Sequence, residues 1–149
     1  MRGDSRTVGR RCFLALVGSA AATGGCTSAV VQPAPVGDLQ AGNVSSLPVG
    51  TLLPLDGQPV CVGRDERGVY AMTLTCTHAG CDIGQTGQVS GQGLRCGCHG
   101  AEFDTNGNVL RGPAPASLDH FAVSVDMQGN LTVHGGEIVS QDQRLSVHK

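Results

Sequence analysis

Two short stretches, each offering a thiol and an imidazole almost side by side, constrain this chain more than anything else in it. They are Cys76-Thr77-His78 and, after seventeen intervening residues, Cys96-Gly97-Cys98-His99. A finger-type zinc site collects its sulfurs in one knuckle and its histidines in another, whereas here each knuckle carries both kinds. Two mixed pairs can grip two metal atoms with different ligand sets, so redox chemistry is the expectation. Whatever the fold, it has to bring two loops that are distant in sequence to one place.

The pattern extends beyond the four ligands. The first knuckle reads Cys76-Thr77-His78-Ala79-Gly80-Cys81, the second Cys96-Gly97-Cys98-His99-Gly100-Ala101-Glu102-Phe103-Asp104, and Gly112-Pro113-Ala114-Pro115 follows. Over roughly residues 47–134 the chain thereby resembles the Rieske iron–sulfur family. In that family two cysteines hold one iron of a 2Fe-2S cluster and two histidines hold the other. The resemblance implies one cluster per chain, with Cys76 and Cys96 on the inner iron and His78 and His99 on the outer. It implies an all-β fold: a Rieske-type antiparallel β sandwich with a cluster-binding subdomain made of two loops, covered by the Gly-Pro-Ala-Pro segment. It also implies a disulfide between Cys81 and Cys98, the positions bridged in the quinol-oxidising branch, and such a bond persists in an oxidising compartment.

Two departures from that branch bear on the potential. Ala101 stands where high-potential members carry a serine that donates to a cluster sulfur, and Phe103 stands where they carry a tyrosine that donates to a ligand cysteine. Hydrogen bonds to the sulfurs stabilise the added electron. Their absence places the expected potential in the middle or lower part of the Rieske range of about −150 to +300 mV.

Composition agrees with short strands and tight turns: the 149 residues include 23 glycines, and aromatic side chains make up 3%. The net charge is −2, and neither a basic stripe nor interleaved aromatics appear, which argues against nucleic acid as a partner. Strands are expected over residues 51–55, 59–63 and 69–75, the last delivering Cys76, with a closing hairpin of residues 121–126 and 130–134 around Gly129.

The amino terminus carries its own signal. Arg10-Arg11 precede Cys12-Phe13-Leu14 and an uncharged run, a layout that resembles twin-arginine export signals. That route moves folded proteins, which suits a cluster inserted before export. Residues 1–26 are therefore expected to form the export signal, 27–47 a flexible linker, 48–140 the Rieske domain and 141–149 a tail, whose Leu145-Ser146-Val147 reads either as a final edge strand or as a loose end. Gly24-Gly25-Cys26 looks like the end of a lipoprotein signal, making Cys26 a lipidation candidate, although Thr23 occupies the usual leucine position. Cleavage after Ala22 with release of a soluble protein, and retention as a weak membrane anchor, stay open beside it.

The implied function is one-electron transfer in the bacterial periplasm or at the outer membrane face, as a carrier or as a redox subunit of an oxidoreductase complex. Its redox partners would be a cytochrome, a quinol-oxidising complex of the bc type, or a molybdenum oxidase subunit of the arsenite-oxidising kind. The alternative from another class is a binding module in which the same Cys2His2 set surrounds one zinc. A ring-dioxygenase ferredoxin conflicts with the export signal and the second cysteine pair. Cys61 reads as a buried small hydrophobe; His120, His134 and His148 lack a paired ligand and read as surface or structural residues.

Overall fold

The computed structural model describes residues 37–147. The expected export signal, Cys26 and His148 lie outside the described residues. The fold is all-β and antiparallel, as expected. Strands β1 (Asp38–Asn43), β2 (Thr51–Pro54), β3 (Val60–Asp65), β4 (Gly68–Thr73), β9 (His120–Val125) and β10 (Asn130–Val139) make a six-stranded sheet in the order β1-β10-β9-β4-β3-β2. Between β4 and β9 the chain inserts a smaller sheet, β5 (Gln88–Ser90), β6 (Gly93–Arg95), β7 (Glu102–Phe103) and β8 (Val109–Arg111), ordered β5-β6-β7-β8. A single helical turn, α1 (Ile83–Thr86), leads into it. No helix among the described residues is long and apolar enough to cross a membrane.

The β3–β4 hairpin is a wall with a core on each side. Successive side chains of a strand point to opposite faces, so Val60, Val62, Val69 and Ala71 enter one core with Phe121, Leu131 and Val133. Cys61, Tyr70 and Met72 enter the other, with Leu74, Ile83, Leu94, Phe103, Leu118 and the two knuckle cysteines. All six β4 residues are buried, which accounts for its nearly unbroken apolar run. Gly63 stands opposite Tyr70 in the hairpin register, and a Cβ there would lie within 2.6 Å of Tyr70 Oη; glycine makes room for the ring.

Two turns are built alike. Asp104 Oδ1 accepts from the backbone of Asn106 and Asn108 at 2.8 and 2.9 Å while its Oδ2 takes Asn108 Nδ2 at 2.8 Å. Asp126 Oδ1 accepts from the backbone of Gln128 and Asn130 at 2.9 and 2.8 Å, with Asn130 Nδ2 on Oδ2 at 2.8 Å. Both are the local carboxylate–backbone closures that make Asp and Asn turn residues.

The amino-terminal end of the expected domain needs correction, and the carboxy-terminal tail takes the edge-pairing one of its two open readings. The linker placed over residues 27–47 does not extend to Leu47: residues 38–43 form β1 on the free edge of β10, and Ala41 and Leu47 are buried in the second core. The tail placed over residues 141–149 folds back on the sheet as far as it is described. Leu145 exchanges both backbone hydrogen bonds with Val69 at 2.8 and 2.9 Å. Arg144, its side chain 5% exposed, donates to Asp65 Oδ2 at 2.7 Å and to the Gln141 carbonyl at 2.7 Å, and it bonds Asn106 Oδ1. Its guanidinium lies 4.0 Å from the Tyr70 ring centroid. Polar residues near a chain end often read as solvated, but a guanidinium each of whose three nitrogens finds an acceptor can be buried at little cost. The closing hairpin is also longer than expected, because a bulge between His134 and Ile138 lets β10 pair with Phe121 and His120 after Gly135-Gly136.

Arg144 thus ties the larger sheet to the residue 104–108 turn of the smaller one. Burial alone would raise the Asp65 carboxyl, but hydrogen bonds from Arg144 and from the Arg67 and Gly68 amides outweigh it and hold it below the ordinary carboxylate value. A folded-state value below the unfolded one gives stability that is present above the ordinary carboxylate range and lost as pH falls through the lowered value. Arg144→Ala is expected to cost about 2–4 kcal/mol at neutral pH, since it removes a buried, hydrogen-bonded guanidinium and leaves partly buried Asp65 only the exposed Arg67, at 3.5 Å, as a cationic neighbour. Urea unfolding should show that penalty at about pH 7 and a shrinking one as pH falls through the lowered Asp65 value, where the carboxylate takes up its proton.

Candidate metal centre

Each knuckle is a tight loop closed by the same pair of hydrogen bonds. In the first, Cys76 N–H donates to the Cys81 carbonyl at 2.8 Å and Gly80 N–H to the Cys76 carbonyl at 2.8 Å. In the second, Cys96 N–H donates to the Ala101 carbonyl at 2.8 Å and Gly100 N–H to the Cys96 carbonyl at 3.0 Å. Gly80 and Gly100 both sit at φ +74°, four residues after their cysteine, where an L side chain is strained although the space is open. The shared Cys-x-x-x-Gly spacing was available in the sequence and marks the two loops as copies of one device.

The two loops face each other with their sulfurs inward and their imidazoles outward. Cys76 and Cys96 are each 1% exposed and unpaired, while His78 and His99 are exposed. The Nδ1 atoms of the histidines lie 3.2 Å apart, with ring planes at 85°. Burial raises the Cys76 thiol above its ordinary value and the nearby Cys96 sulfur adds to this, while the backbone amides of His78 and Ala79, aimed at the sulfur, pull the other way. A thiol buried beside a second sulfur, as Cys76 is, resists ionising; a cationic centre at the pair reverses that balance and favours thiolate ligation. A soft, buried sulfur pair beside an exposed nitrogen pair therefore fits a two-iron cluster with one iron inside and one at the surface.

Three features hold the loops in place. The expected disulfide joins Cys81 to Cys98 with Cα atoms 6.6 Å apart, one cysteine from each loop. Thr77 Oγ1 donates to the Ala116 carbonyl at 2.7 Å, fastening the first loop to the chain just past Gly112-Pro113-Ala114-Pro115. The third feature was missed in the sequence. Asp82 caps α1 by accepting from Gly84 and Gln85 amides at 2.8 and 3.3 Å, and the end of that turn packs backbone to backbone on the second loop. A Cβ on Gly97 would strike the Thr86 carbonyl, and one on Gly87 the Arg95 carbonyl. Asp82 ahead of Ile83-Gly84-Gln85-Thr86 is a helix-cap residue type, but a turn this short carries no periodicity to expose it.

The sulfurs of Cys81, Cys96 and Cys98 lie within 4.8 Å of one another, yet two of the three are spent in the disulfide, so they make no second metal site. Cys61 is fully buried, and burial pushes its thiol up to about 12 against a hydrogen bond from the Met72 backbone, so it is an inert hydrophobe as expected. His120 is structural: 1% exposed, parallel to the Tyr70 ring at 5.6 Å, with Nε2 on the Asn106 carbonyl at 3.0 Å. Burial lowers its pKa, partly opposed by that hydrogen bond.

The Cys81–Cys98 bridge closes a loop with a sequence separation of 17, for which the chain-entropy model gives about 3 kcal/mol. A Cys81→Ser, Cys98→Ser double variant is expected to unfold more easily by about that amount, read by thermal or denaturant unfolding. The same loss should appear in the parent protein when it is unfolded under reducing conditions.

The Rieske 2Fe-2S domain profile matches residues 35–122. Among curated proteins, the chain is 39% identical over 75 residues to the cytochrome b6-f complex iron-sulfur subunit of Synechococcus sp. (strain JA-3-3Ab), covering 48% of this chain and 42% of that one. It is 42% identical over 77 residues to the subunit of the same name from Cyanothece sp. (strain PCC 7425 / ATCC 29141), again over 48% and 42%. The matched region is thus about two-fifths of these relatives' length. Among solved structures it resembles the cyanobacterial plasma membrane Rieske protein PetC3 from Synechocystis PCC 6803, at a TM-score of 0.50 and 31% identity, covering 64% of this chain and 97% of that one. It also resembles a chain of the complex of reduced oxygenase and oxidized ferredoxin in carbazole 1,9a-dioxygenase, at a TM-score of 0.51 and 28% identity, over 69% and 96%. Profile, relatives and fold agree with two mixed knuckles on a small antiparallel sheet: the chain belongs to the Rieske 2Fe-2S family.

Proposed function

We propose that Cys76 and Cys96 hold the inner iron of one 2Fe-2S cluster, that His78 and His99 hold the outer iron, and that the chain carries single electrons on the exported side of a bacterial membrane. The observation that carries this reading is the sorting of donors: a buried, unpaired thiol pair beneath an exposed imidazole pair whose Nδ1 atoms converge to 3.2 Å. When bound, such a cluster takes up and returns one electron, at a potential raised by replacing two thiolates with neutral imidazoles. The protein's part is to place and shield it. Cys76 and Cys96 anchor it against the apolar core, the amides of His78 and Ala79 offer hydrogen bonds to the Cys76 sulfur, and the exposed imidazoles leave one edge open for exchange.

Relatives named as cytochrome b6-f complex subunits support a quinol-oxidising complex as the partner. The disulfide supports an oxidising compartment, reached by the twin-arginine-type signal, with Cys26 as the lipidated first residue of the mature chain. The donor set also distinguishes this reading from a zinc module: a lone tetrahedral ion would draw all four ligands around one point and needs no labile sulfide.

Iron and acid-labile sulfide analysis, together with an EPR spectrum of the dithionite-reduced protein, tests the assignment. Two irons and two sulfides per chain are expected, with the low-average-g signal of a Rieske cluster. One zinc and no sulfide would overturn it. Ala101 is fully buried and Phe103 nearly so, and neither has a hydroxyl to offer a sulfur. Protein-film voltammetry should therefore find a potential below the upper part of the family range, and Ala101→Ser should raise it. A parent value near the top of the range would count against this account.

A further inference from the structure

We propose that Ser124, His134 and Asp38 form a nucleophilic relay on the larger sheet, through which Ser124 takes acyl groups from small activated esters. His134 stands on β10 directly opposite Asp38 on β1, and Ser124 on β9 lies on the diagonal, opposite Thr132. Their neighbours Leu39, Val123 and Val133 belong to or pack against the core that holds Leu131 and Phe121, so the three polar side chains share the other face of the sheet. Diagonal partners on one face are within reach of a long side chain. His134 Nδ1 meets Asp38 Oδ1 at 2.9 Å, and its Nε2 meets Ser124 Oγ at 2.8 Å.

The chemistry of these groups orders the protons. A carboxylate only accepts, so the Nδ1 atom facing Asp38 carries the ring hydrogen. In the neutral imidazole Nε2 is then the acceptor, and the serine hydroxyl donates to it. Carboxylate to imidazole to hydroxyl is the order that prepares a serine for attack. The ring takes the hydroxyl proton as the oxygen forms its new bond, and the carboxylate steadies the imidazolium that results.

Attachment of the edge strand does not account for the trio. The neighbouring row does that work with one bond, Gln40 Nε2 donating to Thr132 Oγ1 at 3.3 Å, and Gly135 N–H reaches the Gly37 carbonyl at 3.2 Å. Ser124 lies on the far side of β10 from β1, so its bond to His134 contributes nothing to holding β1. The serine is exposed, and the His134 side chain is 31% exposed, so an ester reaches the hydroxyl from solvent. An open strand face selects by reactivity rather than by shape, and His134 serves as acid as well as base, so the substrates are esters whose leaving group departs readily. In the step, Ser124 Oγ bonds the acyl carbon and the bond from that carbon to the leaving oxygen breaks. The hydroxyl proton passes to His134 Nε2 and on to the departing oxygen, and nothing is oxidised or reduced. No residue of the knuckles takes part, so the relay is independent of the electron-transfer reading.

A fluorophosphonate probe tests this on the full chain: the Ser124 oxygen displaces fluoride from phosphorus and leaves a stable adduct. Peptide mass spectrometry should find the adduct on Ser124, and methylumbelliferyl acetate should acetylate the same residue. His134→Gln should slow the labelling about a hundredfold, the low end for loss of a general base. Asp38→Ala should slow it as well and move the ring hydrogen of His134 from Nδ1 to Nε2, read by nitrogen NMR. Gln40→Ala removes a cross-strand bond of the same strand pair and should leave the labelling rate unchanged. Labelling of Ser124 no faster than of other exposed serines, equal slowing in Gln40→Ala and Asp38→Ala, or a His134 ring protonated on Nε2 in the parent protein would each overturn the relay.

Discussion

Burial of the β3–β4 hairpin on both faces is the constraint from which the remaining architecture follows. A strand pair with a core on each side cannot slip by one residue without exchanging the contents of both cores, so its register is held from two directions. That rigidity is passed straight to the site, because β4 runs through Thr73 into Leu74, Thr75 and Cys76 without leaving the interior. The amide of Leu74 bonds the Pro59 carbonyl at 2.6 Å, and its own carbonyl receives Ile83 N–H at 2.8 Å. The first knuckle is therefore mounted on the most buried part of the molecule, and the second reaches it by standing on β6 and packing against α1.

Mounted this way, the two loops need little besides each other. Identical backbone closures shape them, the disulfide joins their outer sides, and Thr77 ties one of them to the segment after Gly112-Pro113-Ala114-Pro115. Site geometry then depends on rigid elements and on backbone contacts too close for any Cβ, as at Gly87 and Gly97. The same arrangement separates the chemical faces: thiols toward the core and imidazoles toward solvent.

Much of the site was legible because cysteine and histidine at such short spacing have few structural uses, and because each glycine in the knuckles answers a backbone need. Strands rich in valine with turn residues between them were legible for the same kind of reason: pattern and chemistry coincide locally. The one misreading and the readings left open share a cause as well. Residues 38–43 look like linker because β1 exists only through the free edge of β10. Arg144 gives no local sign of burial because its partners, Asp65, Tyr70 and Asn106, are far away in sequence. His120 reads rightly as surface or structural, and the sequence cannot choose between the two because the Tyr70 ring it lies against is fifty positions earlier. Local sequence carries no trace of a partner supplied by a distant strand.

By itself, then, the sequence determined the donor types, the family, the β class and the turn chemistry, all of which depend on residue identity and short-range spacing. Tertiary structure alone decided which face each donor occupies and that residues 38–43 and Leu145 join the larger sheet. Those outcomes depend on which strand edges meet and which side chains share a core, and a closed sheet settles them only when residues far apart in the chain come into contact.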